Sequence, residues 1–398
     1  MPTLPGPETP GTSAPAFSMK PLMFETFTCT LTMMSFVALI GPIARVLGLA
    51  PWQAGLAVTV GGVTWVLFAR SWGAASDRRG RRRVLLQGVG GFALAYAALC
   101  AFMVAALRHP PPVWLAFAGV VALRGTAGGF YAAVPATGAA LVADHVAPDR
   151  RAGAMATLGA ASGVGMMAGP GIAGALAAHS LELPLLITAL LPFIALGVMW
   201  RWLPRAERHA APDAATLRIT DARLRRPLAV AFAAMFSVAI AQVVVGFFAL
   251  DRLHLDAAAA ARAAGMALTV VGVALILAQL LVRSLGWPPH RLIRIGGVVS
   301  AMGFGSLLFA HTQAALWGGY FVAAAGMGWV FPSVTALAAN AVQAHEQGAT
   351  AGTVGAAHGL GMIAGPLVGT LVYDIDPGAP YALIAVLLAL AALWPGRK

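Results

Sequence analysis

The segment Gly73–Arg83, which reads GAASDRRGRRR, is a basic island between two long apolar runs. Six of the 26 basic residues of the chain fall between Arg70 and Arg83. Lysine and arginine are costly in hydrocarbon and concentrate in the short cytoplasmic loops of membrane proteins. The island therefore predicts a cytoplasmic loop between two membrane-spanning helices, and it orients the rest of the chain.

The composition is typical of a membrane protein. Of the 398 residues, 59% are hydrophobic and 10% are charged, whereas a soluble domain has roughly 25% charged residues. The net charge of +12 would suit a nucleic-acid partner, but no basic stripe on a soluble domain supports one. Cys29 and Cys100 both lie in apolar runs and indicate no disulfide framework.

Apolar runs long enough to cross roughly 30 Å of hydrocarbon recur after the first 20 residues. The proline-rich segment 1–20 predicts a disordered cytoplasmic tail and not a cleaved signal peptide. We predict an all-α polytopic membrane protein with twelve spans, near 22–44, 52–71, 84–107, 113–141, 152–178, 183–203, 228–250, 263–283, 292–310, 315–339, 350–372 and 380–395.

The distribution of basic residues supports an even number of spans. With both termini cytoplasmic, 21 of the 26 basic residues lie on the cytoplasmic side, and an odd number would separate the island from the cluster at 201–226. The arginine-rich, lysine-poor composition suggests a bacterial source. We therefore expect a multi-pass protein of the bacterial inner membrane.

Two stretches of the chain repeat each other. Residues 157–170, TLGAASGVGMMAGP, and 353–366, TVGAAHGLGMIAGP, share ten of fourteen positions at a constant offset of 196. Repeats in the same orientation imply a pseudo-twofold axis along the membrane normal, with a substrate site between the halves. The predicted domains are a tail at 1–20, a six-helix bundle at 21–203, a cytoplasmic linker at 204–227 and a second six-helix bundle at 228–398.

These features give the chain, after residue 20, a resemblance to the major facilitator superfamily of transporters. Segment 73–82 has the form G-x-x-x-D-R-x-G-R-R and matches the family's loop between helices 2 and 3 at every defining position. Leu123, Arg124 and Gly128 resemble the second family motif, with Ala127 in place of the usual glutamine. Predicted helix 5 resembles the motif of exporters that exchange substrate for protons, through Gly163, Gly165, Gly169, Pro170 and Gly174.

The resemblance implies a cytoplasmic latch that joins the halves when the transporter faces outward. Asp77 would contact the start of helix 11 near Gln347, where a helix N-terminus favours a carboxylate, and Arg81 would pair with Asp144. The alternative is that these charges only set the topology. No aspartate follows Arg283 in the second half, so the latch is expected on one side only. The predicted latch residues are Gly73, Asp77, Arg78, Gly80, Arg81, Arg82 and Asp144.

Three residues are candidates for proton coupling. Arg124 falls inside a span, where a guanidinium costs about 2.5–3.5 kcal/mol and normally faces water or a partner. It would take part in coupling, bind an anionic substrate, or serve as a structural ion pair or hydrogen-bonding hub. Gly128, four residues later, lets a neighbouring helix such as helix 1 approach closely. Glu25 is an acid within a predicted span, and His358 stands where the first half has Ser162. For His358 the alternative is a satisfied packing residue.

The remaining candidates concern helix packing and the cavity. Prolines break the helical hydrogen-bond ladder and small residues permit close approach, so we predict a kinked seam in which helices 5 and 11 face helices 8 and 2. Ordinary close packing is the alternative. The seam residues are Gly165, Gly169, Pro170, Gly361, Gly365 and Pro366. The cavity candidates are Thr30, Ser35, Trp65, Tyr131, Gln242, Gln279 and Tyr320.

Together these patterns favour a monomeric secondary transporter that exports a small organic molecule in exchange for protons by alternating access. The cargo would be a drug-like compound or a secreted metabolite such as a siderophore. Two alternatives stay open: a proton-linked importer or facilitator, and a transport-inactive membrane sensor. No nucleophile–base pair, metal cluster or phosphate loop indicates an enzyme, and no cofactor, metal or nucleic acid is expected.

Overall fold

The computed structural model describes residues 17–203, 221, 223–343 and 346–394, so most of the predicted tail and linker lie outside the described residues. The described part is helical and contains no strand. Its helices are α1 (Lys20–Val46), α2 (Pro51–Arg79), α3 (Arg81–Arg108), α4 (Val113–Tyr131), α5 (Ala133–His145), α6 (Pro148–Ala177), α7 (Glu182–Trp202), α8 (Arg225–Asp251), α9 (Ala257–Leu285), α10 (Pro289–Ser306), α11 (Gln313–Asn340), α12 (Gln347–Tyr373) and α13 (Ala379–Leu393).

These helices correspond to the twelve predicted spans. α4 and α5 form one span, Val113–His145, so predicted helix 5 is α6 and predicted helix 11 is α12. Eleven spans in the described part are long and apolar enough to cross a membrane, and α13 is a shorter apolar helix of 15 residues. Helices suit this sequence because hydrocarbon offers no partners for backbone groups, which must therefore bond within each segment.

The basic island is helical, which corrects the predicted loop. α2 continues to Arg79 and α3 begins at Arg81, so Gly80 alone lies outside a helix. Gly80 adopts φ +92°, a conformation that a residue with a Cβ rarely takes, and this single residue turns the chain. The two helices therefore run beyond the apolar spans, and their ends carry the arginines.

The two halves, α1–α7 and α8–α13, meet in a pseudo-symmetric interface. α6 packs on α9 and α12 packs on α2, the pairing that the sequence repeat predicts. On the axis, α1 meets α8 where a Cβ added to Gly41 would lie 3.2 Å from Cα of Gly246 and 3.0 Å from the backbone nitrogen of Phe247. The close approach of two glycine-bearing helices holds the halves together there.

The halves are in contact at one end of the bundle and apart at the other. We call the end that carries Lys20, Arg79 and Arg225 the basic end, and the opposite one, at Val46 and Asp251, the distal end. Interface contacts of α2 and α9 lie in the distal half of the bundle. Near the basic end, six glycines of α6 and α12 have no other side chain or helix within 4 Å of the position that a Cβ would take. They are Gly153, Gly159, Gly163, Gly352, Gly355 and Gly359.

Candidate functional site

A cavity of about 280 Å³ lies between the halves near the middle of the spans. Most of its wall is apolar, with four methionine side chains and the Trp65 indole among the larger groups. Both halves contribute to it. The lining residues are Thr30, Met33, Met34, Val37, Val58, Gly61, Gly62, Trp65, Arg124, Tyr131, Pro135, Ser162, Met166, Ala239, Gln242, Val243, Met362 and Pro366.

Arg124 is the charged residue of this wall. It is 5% exposed, and it forms no hydrogen bond or ion pair with any residue that the structure describes. The Phe36 ring of α1 lies 5.4 Å from Cζ of Arg124, within cation–π range. On α2, Gly61 leaves room for the guanidinium, because a Cβ there would lie 2.8 Å from Nη1 and 2.9 Å from Cζ.

The second-motif glycine of α4 packs against a helix other than the expected one. A Cβ on Gly128 would fall against the carbonyl of Gly61 and 2.8 Å from Oγ1 of Thr64, both on α2. Helix 1 contributes Phe36 instead, as a ring over the guanidinium and not as an ion-pair partner. The ion-pair interpretation of Arg124 therefore has no counterpart among the described residues.

Four of the predicted cavity residues line this cavity, namely Thr30, Trp65, Tyr131 and Gln242. Ser35 is fully buried between helices and donates to the carbonyl of Gly169 at 3.0 Å. Tyr320 lies inside the second half and donates to the carbonyl of Ala241 at 2.7 Å. Gln279 is exposed on α9. These three predicted cavity residues therefore do not line the cavity: Ser35 and Tyr320 lie on packed helix faces, and Gln279 lies on an outer face.

Glu25 is separate from the cavity. It is fully buried in the first turns of α1; Oε2 accepts from Thr26 Oγ1 at 3.3 Å, and Oε1 has no partner among the described residues. Glu25 and Arg124 form no ion pair, since Phe36, which touches Arg124, is eleven residues further along the helix, a rise of about 16 Å. The two coupling candidates therefore do not touch in this conformation.

His358 of α12 also lies outside the cavity wall. Its ring packs edge-on against Phe331 at 5.7 Å between centroids, and Nε2 is buried without a hydrogen-bond partner among the described residues. The ring contact suits a packing role, whereas the unpartnered Nε2 does not make His358 a satisfied packing residue, and its coupling role stays a prediction.

The predicted latch residues cluster on the first half. Arg81 donates from Nε to Asp144 at 3.0 Å and from Nη1 to Ser76 at 2.6 Å, and it pairs with Asp77. Asp77 is half exposed, and the contact described for it is with Arg81, not with Gln347. Of the other two basic members, Arg82 donates to the carbonyls of Trp200 and Leu203, which fixes the start of α3 to the end of α7, and Arg78 is exposed near the end of α2.

The four glycines of the predicted seam pack within their own halves, whereas its two prolines meet the other half. Gly165 and Gly169 of α6 face the backbone of α1, and Gly361 and Gly365 of α12 face that of α8. Residues four apart share one face of a helix, and the contacts with the other half come from the opposite face. Pro170 and Pro366 lie within continuous helices, and their carbonyls are approached by glycines of the other half.

The seam between the halves uses a second repeat that the sequence analysis missed. Residues 55–62, GLAVTVGG, and 265–272, GMALTVVG, share five of eight positions at an offset of 210. Gly55 faces the Pro366 carbonyl of α12, and Gly265 faces the Pro170 carbonyl of α6. Thr59 Oγ1 donates across the seam to the carbonyl of Ile363 at 2.8 Å. Self-comparison of the two less glycine-rich helices, α2 and α9, reveals this signal.

Three side chains join the halves at the distal end. Arg45 of α1 pairs with Asp251 of α8, with Nη2 and Oδ2 2.5 Å apart. The Tyr373 hydroxyl of α12 donates to the same Oδ2 at 2.9 Å. This cluster closes the end of the bundle opposite to the basic island.

The geometry is that of a known transporter architecture, and comparisons with known proteins agree. A bacterial homologue of the human lysosomal transporter Spinster, inward-facing and unoccupied, superimposes with a TM-score of 0.75 at 13% identity over 94% of both chains. A bacterial homologue of the iron transporter ferroportin, also inward-facing, gives 0.68 at 15% identity over 95% of this chain and 100% of that one.

Sequence comparisons identify relatives among resistance proteins. The class G tetracycline resistance protein of Vibrio anguillarum is 29% identical over 327 residues, 79% of each chain. The class C protein of Escherichia coli is 29% identical over 319 residues, 76% of this chain and 75% of the other. The model of the Major Facilitator Superfamily matches residues 22–366 and 261–396. The chain therefore belongs to the major facilitator superfamily and is a membrane transporter of small molecules, not an enzyme.

Proposed function

We propose that this protein exports a small organic molecule across the bacterial inner membrane in exchange for protons, working as a monomer by alternating access. The observation that carries the proposal is a cavity between two halves that touch at the distal end and separate towards the basic end. With the arginine-rich helix ends in the cytoplasm, this is the conformation in which a cytoplasmic cargo would enter. Both termini are then cytoplasmic.

The relatives support a drug-like cargo. Tetracycline resistance proteins match about three quarters of the chain, and the largely apolar cavity suits an amphiphilic compound. A secreted metabolite such as a siderophore is the other cargo class that we propose. Segments 21–203 and 228–398 would act as two rigid bundles that rock about the seam, joined by the linker 204–227.

We propose Glu25 as the proton carrier. A buried carboxylate without a counter-ion is costly in a membrane protein, so the neutral acid is favoured where Glu25 lies now. Loss of that proton would require a change in its surroundings, which links protonation to the arrangement of α1. Asp77 would reach the start of α12 near Gln347 once the basic end closes, which would complete the latch.

Proteoliposomes with an imposed pH gradient test the proposal. Pyranine trapped inside reports proton movement when compounds of a panel are added, beginning with tetracycline. We expect a compound-dependent proton flux opposite to the movement of the compound. Flux in the same direction as the compound would indicate import. A protein that moves neither protons nor any compound of the panel would contradict the proposal and favour a sensor.

A further inference from the structure

We infer that the central cavity binds amphiphilic organic anions, molecules with an apolar body and one carboxylate or sulfonate, and that Arg124 pairs with the anionic group. This inference rests on the proposed export function, because it names the substrate class of the same cavity. It also assigns Arg124 to substrate binding, whereas proton transfer belongs to Glu25.

The charge of the cavity supports this class. Among the described lining residues, Arg124 carries a charge and no aspartate or glutamate accompanies it. A buried guanidinium in a membrane protein normally pairs with an acid or a carbonyl, and Arg124 has neither among the described residues. Its positive charge is therefore available to a ligand, and a cationic ligand would be repelled.

The hydrogen-bonding groups of the wall indicate the same ligand. Nε of Arg124 and Nε1 of Trp65 are both buried donors without partners in the part of the chain that the structure describes. Arginine and tryptophan nitrogens can only donate. A ligand that satisfies both must present acceptor oxygens, and a carboxylate or sulfonate does so while neutralising the charge.

The placement of the guanidinium supports a binding role over a structural one. Phe36 and Gly61 hold it through a ring contact and close packing, neither of which uses its N–H groups. The side chain is thus fixed in position, and no described residue accepts a hydrogen bond from it. A ligand would meet a preorganised cation and would lose little free energy in ordering it.

The rest of the wall defines the apolar body of the ligand. The methionines that line the cavity are flexible and polarisable, and they adapt to aromatic or aliphatic groups of different shape. They are contributed by α1, α6 and α12: Met33, Met34, Met166 and Met362. A cavity of about 280 Å³ holds a small soluble compound and not a whole phospholipid.

Cysteine reactivity tests the charge of the cavity without knowledge of the natural cargo. Ser162→Cys places a thiol in the wall, in a background with Cys29 and Cys100 replaced by alanine. The thiol reacts with an anionic and a cationic methanethiosulfonate, and the ratio of the two rates reports the local potential. We expect Arg124→Gln to lower the anionic-to-cationic ratio at least tenfold and Arg124→Lys to preserve it.

The matched control is Gly153→Cys, which lies exposed on α6 near the basic end. Its rate ratio should change less than twofold when Arg124 is replaced. If Arg124→Gln does not purify as a monodisperse protein, Arg124→His allows the comparison within one folded variant. A histidine loses its positive charge as the pH rises from about 5 to about 8, so the anionic-to-cationic rate ratio should decrease over that range. An unchanged ratio at Ser162→Cys would overturn the inference.

Ligand protection tests the substrate class directly. We expect 1-naphthaleneacetate at millimolar concentration to slow N-ethylmaleimide labelling of Ser162→Cys, and the neutral 1-naphthaleneacetamide to have little effect. Arg124→Gln should remove the protection. Equal protection by both compounds, protection that survives Arg124→Gln, or no protection by the acid would each overturn the inference. Since labelling needs no transport, failure of export in proteoliposomes remains a separate result.

Discussion

At the scale of single residues, Glu25 and Arg124 are both buried without an ion-pair partner among the described residues, and they lie in two different places. Arg124 is in the cavity wall, and Glu25 is buried closer to the basic end with no ion pair between them. The separation allows substrate and proton to bind at different points of the same half. The two groups would then communicate through α1, which contributes Glu25 and contacts the guanidinium through Phe36.

Gly61→Ala should displace the guanidinium without changing the charge of the protein. The new methyl would stand 2.8 Å from Nη1 of Arg124, so the side chain must move. We expect the protection of Ser162→Cys by 1-naphthaleneacetate to weaken at least tenfold, about 1.4 kcal/mol. Gly129→Ala, on α4 outside the cavity wall, is the control, since its methyl would meet the Phe68 ring at an ordinary contact distance of 3.4 Å. Equal effects of both variants would contradict the account.

Glu25→Gln should separate exchange from proton coupling. Glutamine mimics the neutral acid, so the fold and the cavity should persist while proton release is lost. We expect the pH-driven flux in proteoliposomes to disappear and the exchange of labelled for unlabelled compound to continue. Glu182→Gln, which removes a carboxylate paired with the exposed Arg108 at the distal end, should leave both activities intact. Persistent pH-driven flux in Glu25→Gln would exclude Glu25 as the carrier.

At the scale of helices, α6 and α12 each present two packing faces. One face packs on the first helix of the same half, and the other packs on the second helix of the opposite half. For α12, Gly361 lies on the former face, whereas Ile363 and Pro366 lie on the latter. Such helices join a rigid bundle to a moving interface, so their small residues do not all have one role.

Two neighbouring glycines of α12 should respond in opposite ways to alanine. At Gly361 a Cβ would lie 2.7 Å from the Phe232 carbonyl oxygen and the Phe236 nitrogen, both backbone atoms that cannot easily move. Gly361→Ala should therefore destabilise the protein by about 1–3 kcal/mol. At Gly359 nothing lies nearby, so Gly359→Ala should be neutral or stabilise by up to about 1 kcal/mol. Thermal unfolding in detergent measures both, and a larger loss at Gly359 would contradict this packing.

The sequence predicted the membrane spans well, but it predicted the helix ends and the packing faces poorly. Apolar length and charge asymmetry located all the spans, because the bilayer imposes both directly. The ends of the helices were harder to predict. The basic island was predicted as a loop, because hydropathy does not show that a helix continues beyond the apolar span as far as Arg79. The faces of α6 and α12 also could not be assigned, because a glycine-rich stripe predicts close packing and does not name the partner helix.

At the scale of the whole molecule, we expect the distal cluster to stabilise the present conformation. Asp251 accepts from Arg45 and Tyr373, and these three helix ends belong to both halves. A partly exposed ion pair contributes up to about 1 kcal/mol, which is enough to shift a balanced two-state equilibrium several-fold. The sequence repeat predicted the axis and the two halves, but not which end is closed, since a repeat is the same in every conformation.

Asp251→Asn should shift the population towards a distal-open state. The amide keeps the shape of the side chain and loses the charge, so we expect a two- to fivefold increase in molecules with the distal end open. Spin labels at Val46 and Ile375, both exposed, report the change by pulsed electron resonance. Glu182→Gln, which removes an acid at the distal end whose partner Arg108 belongs to the same half, is the control and should have no effect. An unchanged distribution in Asp251→Asn would remove the cluster from the mechanism.

Alternating access is tested most directly by measuring both ends of the molecule in the same preparation. One pair of spin labels replaces Gly153 and Gly352, which stand in open space at the basic end, and the other replaces Val46 and Ile375. We expect that a change of pH shifts the two distance distributions in opposite directions, so that one pair shortens as the other lengthens. A distal distance that never changes, or two distances that change in the same direction, would contradict the account.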